Sequence, residues 1–154
     1  MKAVIQRVRK ASVETDGRII GQIERGLLVL LGVAQGDDET DVAFFVEKLP
    51  TLRIFSDEIG KMNKSLEDIG GAALIISQFT LLADTDRGRR PSFEQAAPPE
   101  QANTLYHQLM DRLRGRGLHI KSGIFGASMV VSLENEGPVT LVLDSRSGKQ
   151  VKRK

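Results

Sequence analysis

The chain has 154 residues, of which 40% are hydrophobic and 27% are charged, and its formal net charge is +2. This composition is typical of one globular domain and argues against a disordered chain or a membrane protein. The chain has no cysteine, which excludes disulfides, thiolate catalysis and cysteine-ligated metal sites.

The N-terminal part of the chain predicts a hairpin followed by a buried strand. Residues 3–8 and 11–13 alternate apolar with polar side chains, Gly17 is typical of a turn, and residues 18–24 resume the extended pattern. The continuous apolar run 27–33 predicts a central strand. Because the alternating pattern begins at once and contains no signal-peptide core, we expect the protein to stay in the cytoplasm and away from membranes.

Two amphipathic helices are predicted. The first follows the acidic residues 37–39, which favour a helix N-terminus, and Pro50 ends or kinks it. The second begins near Pro98, carries an apolar stripe over 105–113 at helical spacing, and stops at Gly115.

A second buried strand is predicted from the apolar run 72–76, and the segment Ser77-Gln78-Phe79-Thr80-Leu81 follows it directly. Polar side chains in this position either cap the turn or form part of a site, and the pattern alone favours the structural role. The next loop, 84–93, combines arginines with an aromatic residue. Such a loop is suited to contact nucleotide phosphates and bases, although a solvated loop anchored by a buried Phe93 has the same composition.

The last third predicts two closing strands, 128–134 and 139–143, joined by a hairpin turn at 135–138 that Pro138 stiffens. Residues 146–154 are polar and basic, and we expect them to form a flexible tail. The order of elements predicts a single-domain α/β fold, with a mixed, mostly antiparallel sheet forming a barrel-like core and two main helices.

Known catalytic signatures of nucleotide-binding enzymes and hydrolases are missing from the sequence. A hydroxyl nucleophile such as Ser77 or Thr80 would need a nearby base. The two histidines, His107 and His119, are distant from both in sequence and match no zinc motif. The residues therefore give little support to a side-chain mechanism, and no metal or other cofactor is expected.

Several short motifs nevertheless occur together in one order. They are Gln6-Arg7-Val8, Ala11-Ser12-Val13, Ser77-Gln78-Phe79-Thr80-Leu81, Arg90-Pro91-Ser92-Phe93, Met129 with Val131-Ser132-Leu133, and Asn135-Glu136-Gly137-Pro138-Val139-Thr140. In this combination the chain resembles the D-aminoacyl-tRNA deacylases, also called D-tyrosyl-tRNA deacylases. The resemblance implies that residues 1–145 form a metal-free, cytoplasmic, homodimeric hydrolase. Such an enzyme cleaves the ester between a D-amino acid and the terminal adenosine of tRNA, and it also accepts glycyl-tRNA.

The resemblance also implies roles for individual residues. Catalysis is assigned to Ser77, Gln78, Phe79 and Thr80, and substrate binding to Gly137, Pro138, Arg7 and Met129. In one account of such enzymes Thr80 is the nucleophile. In the other, the ribose 2′-OH of the substrate assists while main-chain amides around Phe79 and Thr80 stabilise the oxyanion.

A Gly137-Pro138 segment with a cis peptide bond, braced by Arg7, is implied to enter the active site of the second subunit and to exclude L-amino acids. Two other functions stay open from the sequence. They are a noncatalytic module that binds tRNA or other RNA, and a serine- or threonine-type esterase that acts on small molecules.

Overall fold

A mixed β-sheet lies at the centre of the molecule in the computed structural model, which describes residues 1–147. In chain order the elements are β1 (Lys2–Thr15), β2 (Arg18–Ile23), β3 (Gly26–Gly32), α1 (Glu39–Thr51), β4 (Phe55–Ser56), β5 (Met62–Lys64), β6 (Ala72–Ser77), a 3-10 turn (Phe79–Leu82), α2 (Pro99–Gly115), β7 (His119–Ser122) and β8 (Val130–Asp144).

The six-stranded sheet has the order β2-β1-β3-β6-β7, with β8 paired to β1. β1 is antiparallel to β2, β3 and β8, whereas β3, β6 and β7 run parallel to one another. The sheet is nearly closed into a barrel, since β2 also contacts β6 and β7. The prediction of a single-domain α/β fold with a mixed sheet and two helices is therefore confirmed.

The two apolar strands are buried on both faces, as their continuous hydrophobic runs predict. In β3, Leu27 and Val29 pack in the larger core beneath the helices, which also contains Phe45 of α1 and Leu109 of α2. Leu28, which points the other way, packs in a second core inside the curved sheet. Burial on both faces explains why these strands contain no polar residue until they end.

The predicted hairpin and first helix are confirmed. β1 turns into β2 through Asp16 and Gly17, which both have positive φ angles, 51° and 75°. A capping box at Asp38 starts α1, because its side chain accepts the Thr40 N–H while the side chain of Asp41 accepts the Asp38 N–H. Pro50 lies inside the last turn of α1, and the helix ends one residue later, at Thr51.

The predicted hairpin at 135–138 is wrong. Residues on both sides of it pair with the same strand, β1, so that Gln6 lies opposite Thr140 and Val8 lies opposite Asn135. Residues 136–139 are therefore a bulge within one long strand, because they face Arg7 alone. Asn, Gly and Pro favour a turn locally, and pairing of both flanks with β1 overrides that preference.

The end of the described chain is held against its beginning. Ser145 donates its N–H to the Met1 carbonyl at 3.0 Å and its hydroxyl to Asp41 at 2.6 Å. The Arg146 guanidinium donates to the buried carboxylate of Asp37 at 3.1 Å. The rest of the predicted basic tail, 148–154, lies outside the described residues. In residues 1–147 no helix has the length and apolar character needed to cross a membrane.

Candidate functional site

A cavity of about 700 Å³ opens where the three parallel strands end. Because β3, β6 and β7 are parallel, their carboxyl ends meet at one edge of the sheet, which is a common position for ligand sites in α/β proteins. The volume lies in the range of small-molecule sites. Residues at or beyond each strand end line it: Val33 and Gln35 after β3, Ser77 at the end of β6 with Gln78 and Phe79 after it, and Phe125, Gly126 and Ala127 after β7.

The segment after β6 is held tightly on the end of β3. The Gln78 N–H donates to the Leu31 carbonyl at 2.7 Å, and the chain then enters the 3-10 turn. Gly32 permits this approach, since a Cβ there would lie 2.4 Å from Leu82 Cδ2 and 3.0 Å from the Gln78 carbonyl oxygen. The backbone of this turn is therefore positioned by close contact with β3.

The start of the 3-10 turn presents backbone donors. Its first hydrogen bond joins the Leu81 N–H to the Gln78 carbonyl at 3.2 Å, so the amides of Phe79 and Thr80 precede the bonded part of the turn. First-turn amides have no carbonyl partner within their own helix. They can donate to an anion or a developing oxyanion near Phe79.

The Thr80 hydroxyl lies next to the side-chain carboxamide of Gln78, which is not a base. Thr80 is exposed, does not line the cavity, and accepts a hydrogen bond from Gln78 Nε2. A carboxamide does not take up a proton at neutral pH. Neither His107 nor His119 lines the cavity, and both are exposed. Among residues 1–147 no three His, Asp or Glu side chains are grouped so that they could hold a metal ion.

Apolar and aromatic side chains form the cavity walls. Phe79, which is 55% exposed, meets the Phe93 ring edge to face with centroids 5.0 Å apart. The wall before α2 is fixed to β3 by the hydrogen bond from the Ala97 N–H to the Val33 carbonyl, 2.9 Å. Such walls suit a flat, largely apolar group such as a nucleobase.

The part of the cavity wall that follows β7 packs against a buried tyrosine, Tyr106. The Phe125 ring lies 6.1 Å from that of Tyr106. Burial raises the pKa of Tyr106 to about 12, so its hydroxyl stays protonated and donates to the Ile75 carbonyl at 2.7 Å. Met129 packs against Gly123, where a Cβ would lie 2.4 Å from the Met129 sulfur. These contacts fix the wall of the cavity that follows β7.

A second feature of the chain is the bulge 136–139, which is held by two side chains. Arg7 is buried and donates to the Glu136 carbonyl at 2.9 Å and to the Ile54 carbonyl at 2.6 Å. Asn135 accepts the Val139 N–H at 2.7 Å and donates to the Thr140 hydroxyl at 2.9 Å. These bonds fix the bulge at its base.

The tip of the bulge consists of Gly137 and Pro138, which are exposed and joined by a cis peptide bond. Gly137 has a φ of 132°, a conformation that L side chains rarely adopt. Neither residue lines the cavity of its own chain. The bulge therefore presents exposed main chain at the surface of the chain.

The structure divides the residues predicted from the sequence into two groups. Ser77, Gln78, Phe79 and Met129 line the cavity, with Thr80 next to Gln78. The second group gathers at the bulge, and its members are Arg7, Gly137 and Pro138. The sequence did not predict that Gln35, Ala96 and Phe125 line the cavity. The end of the first apolar strand could have indicated Gln35, whereas no local signal marks Ala96 or Phe125.

Comparison with known families and proteins gives a consistent result. The family model described as D-Tyr-tRNA(Tyr) deacylase matches residues 4–144. A protein from Fervidobacterium nodosum named D-aminoacyl-tRNA deacylase is 56% identical over 146 residues, which cover 95% of this chain and 98% of that one. A protein of the same name from Roseiflexus castenholzii is 57% identical over 145 residues, covering 94% of this chain and 92% of that one.

Two solved structures have the same fold. One, named c-Myc DNA Unwinding Element Binding Protein, has a TM-score of 0.88 and 43% identity, and the match covers 94% of this chain and 98% of that one. The other is described as a probable eukaryotic D-amino acid tRNA deacylase. It has a TM-score of 0.80 at 18% identity, with 92% of this chain and 97% of that one covered, and at that identity the likeness concerns the fold alone.

The Asn135 contacts predict how the bulge responds to substitution. Asn135→Ala removes the acceptor of the Val139 N–H, a loss of about 1 kcal/mol, which corresponds to about fivefold faster local opening. Amide hydrogen exchange followed by NMR should show that increase at Val139. Asn63→Ala, which removes an asparagine of β5 that bonds to Asp57, is the matched control and should leave Val139 unchanged. Equal exchange at Val139 in all three proteins would contradict the assignment.

Proposed function

The chain belongs to the D-Tyr-tRNA(Tyr) deacylase family, and from this premise we propose that it hydrolyses the ester that links a D-amino acid to the terminal adenosine of tRNA. Membership makes the chain a hydrolase of aminoacyl-tRNA esters. The observation that carries the proposal is that Phe79 lines a cavity with aromatic walls at the start of the 3-10 turn, where its amide and the next one, of Thr80, precede the bonded part of the turn. An aminoacyl-adenosine needs both a base-sized apolar pocket and donors for an ester oxyanion.

In this proposal the adenosine occupies the cavity and its base lies against the aromatic wall that includes Phe125. The ester carbonyl then lies at the start of the 3-10 turn, where the amides of Phe79 and Thr80 stabilise the negative charge that develops on its oxygen. Ser77 and Gln78 hold the loop and orient the bound adenosine. Since the turn is packed against β3, these donors need little rearrangement during the reaction.

The attacking step is assigned to water assisted by the neighbouring ribose 2′-OH of the substrate, rather than to Thr80. Removal of a proton from the Thr80 hydroxyl would require a base, and its hydrogen-bonding neighbour is the amide of Gln78. The substrate hydroxyl lies next to the ester in the same molecule, so it acts at high effective concentration.

We further propose that the active unit is a homodimer. β8 is 15 residues long and, among the strands in residues 1–147, pairs with β1 alone, which leaves its other edge open. Long open edges are usually covered by another element or chain. The tip of the bulge is exposed and does not line its own cavity. A second copy that covers this surface would place its Gly137 and Pro138 at the cavity, beside Met129.

Chiral selection is assigned to that main-chain tip. If the carbonyls of Gly137 and Pro138 accept the substrate α-amino group, backbone occupies the space that an L side chain would need, while a D side chain points outward. The bonds from Arg7 and Asn135 hold this backbone in place. A thousandfold preference requires about 4 kcal/mol of difference between the two diastereomers. Because glycine has no side chain to reject, glycyl-tRNA is hydrolysed as well.

Two alternative functions give different outcomes. One is noncatalytic nucleic-acid binding. The name of the similar solved structure, c-Myc DNA Unwinding Element Binding Protein, supports this alternative. That function would leave the ester intact and depend steeply on salt. The other is a small-molecule esterase, which would hydrolyse simple activated esters that contain no RNA.

The central prediction concerns the two diastereomers of the substrate. Purified protein incubated with D-Tyr-tRNA and, separately, with L-Tyr-tRNA should release tyrosine rapidly from the D species only, with a ratio of rates of about a thousand. Ester loss is followed with labelled tyrosine against the spontaneous rate. Survival of both esters would favour the binding module, and comparable loss of both would contradict the chiral filter.

Substitution of Thr80 separates the two mechanisms. Thr80→Ala should keep most of the kcat for D-Tyr-tRNA, because the main-chain amides remain. Replacing the 3′-terminal ribose by 2′-deoxyribose, with the ester on the 3′-oxygen, should instead lower kcat by about a hundredfold or more. Near-complete loss of activity in Thr80→Ala with full activity on the deoxy substrate would restore Thr80 as the nucleophile.

The dimer proposal predicts a particle of twice the 16.9 kDa chain mass at micromolar concentration, measured by sedimentation equilibrium. Specific activity should fall on dilution below the dissociation constant, because each cavity then lacks the partner's bulge. A monomer with full activity and full preference for the D substrate would rule out the exchange of bulges between subunits.

A further inference from the structure

The loop between the 3-10 turn and α2 is attached to the cavity at both ends. Asp84 and Ser92 exchange two backbone hydrogen bonds of 2.8 Å, which close the base of the loop. Phe79 lies before the loop and Phe93 directly after it, and both line the cavity. The tip of the loop, 85–91, therefore lies at the rim of the candidate active site.

Three arginines of this loop, Arg87, Arg89 and Arg90, are exposed and unpaired. Within residues 1–147 no carboxylate oxygen lies within 4.0 Å of their guanidinium nitrogens, and none of the three donates a hydrogen bond to the protein. The loop also contains Asp84 and Asp86, so its formal charge is three minus two, or +1. The Asp84 carboxylate accepts the Asp86 N–H at 2.9 Å and is thus engaged at the base.

The arginines at the end of α2 are used differently. Arg116 bonds to Glu67 at 2.6 Å and to Glu47 at 3.2 Å, while Arg114 bonds to Asp111 at 3.1 Å. Arg116 thus ties the end of α2 to neighbouring parts of the fold, and Arg114 pairs within the helix. By contrast, the loop arginines form no ion pair and donate no hydrogen bond within residues 1–147, so the fold does not use their charges.

We propose that Arg87, Arg89 and Arg90 bind the phosphate backbone of the RNA that leads to the aminoacylated end, while the cavity holds that end. The inference rests on the proposed function. Guanidinium groups form paired hydrogen bonds with phosphate oxygens. Contacts to the backbone position a nucleic acid without reading its sequence, which suits an enzyme that acts on the amino acid and must accept many tRNAs. Gly88, where an added Cβ would meet no atom within 4 Å, leaves the loop tip open to approach.

The test compares two substrates that share the ester but differ in their phosphates. In the triple variant Arg87→Gln/Arg89→Gln/Arg90→Gln, kcat/KM for D-Tyr-tRNA should fall at least about tenfold at 0.15 M salt, through KM, with kcat nearly unchanged. Activity on D-tyrosyl-adenosine, which has no phosphate, should equal that of the wild type. The slope of log kcat/KM against log salt concentration should become shallower by about 2 to 3, as expected for three lost phosphate contacts.

A matched control removes the same charge elsewhere. The variant Arg18→Gln/Lys61→Gln/Arg112→Gln changes three exposed cations that do not line the cavity, and it should retain both the KM and the salt slope of the wild type. Equal loss of activity on both substrates in the loop variant would show that the loop supports the cavity, and would overturn the proposal. An unchanged KM and salt slope for D-Tyr-tRNA would overturn it too.

The test stays decisive if the chain does not hydrolyse D-Tyr-tRNA. In that case the proposed function fails, and binding of uncharged tRNA is measured by fluorescence anisotropy over a series of salt concentrations. Weaker binding and a shallower salt slope in the loop variant alone would support the phosphate contacts without catalysis. Equal binding by the wild type and the loop variant would reject them.

Discussion

The parallel pairing of β3, β6 and β7 is the constraint on which the rest of the structure depends. Parallel strands bring their carboxyl ends to one edge, and here three chain segments leave the sheet there together. Apolar runs bury β3 and β6 on both faces, so polar residues occur only after the strands end. The 3-10 turn and one side of the cavity follow from that arrangement, because they are built from residues that leave the same edge, and Phe93 and Met129 complete the cavity from later in the chain.

The features that could be predicted from the sequence are those fixed by local chemistry. The apolar runs predicted the buried strands, the acidic residues predicted the start of α1, and the end of β6 indicated where a site would lie. The prediction failed at 135–138, because the turn preference of Asn, Gly and Pro is local while pairing with β1 is not. Phe125 and Ala96 were missed for a related reason: only the folded chain brings them to Phe79. Roles at the bulge came from family resemblance, since its residues carry no chemical signature of their own.

The two arginine clusters, 87–90 and 112–116, show that ion pairing is equally hard to predict from local sequence. In the sequence, 87–90 and 112–116 look alike, and neither has an adjacent run of carboxylates sufficient to neutralise it. In the structure, Arg116 is paired with Glu47 and Glu67, which are 69 and 49 positions away in sequence. Whether a basic cluster is part of the fold or available to a ligand is therefore decided by residues distant in the chain, and a charge pattern alone cannot distinguish the two cases.

The long strand β8 is fastened at both ends, and this has a consequence for how the chain can change. At one end Ser145 bonds to Met1 and Asp41, and at the other Val130 pairs with Glu14. Between these anchors β8 contains more residues than β1 can pair, and the excess cannot slide off either end. An insertion or deletion within 136–139 would therefore alter the bulge and the reach of its tip, including the bonds to Glu136 and Val139, while each half paired with β1 keeps its alignment. The reach of the tip is a length that evolution or an engineer can adjust while the strand pairing on either side of the bulge is kept.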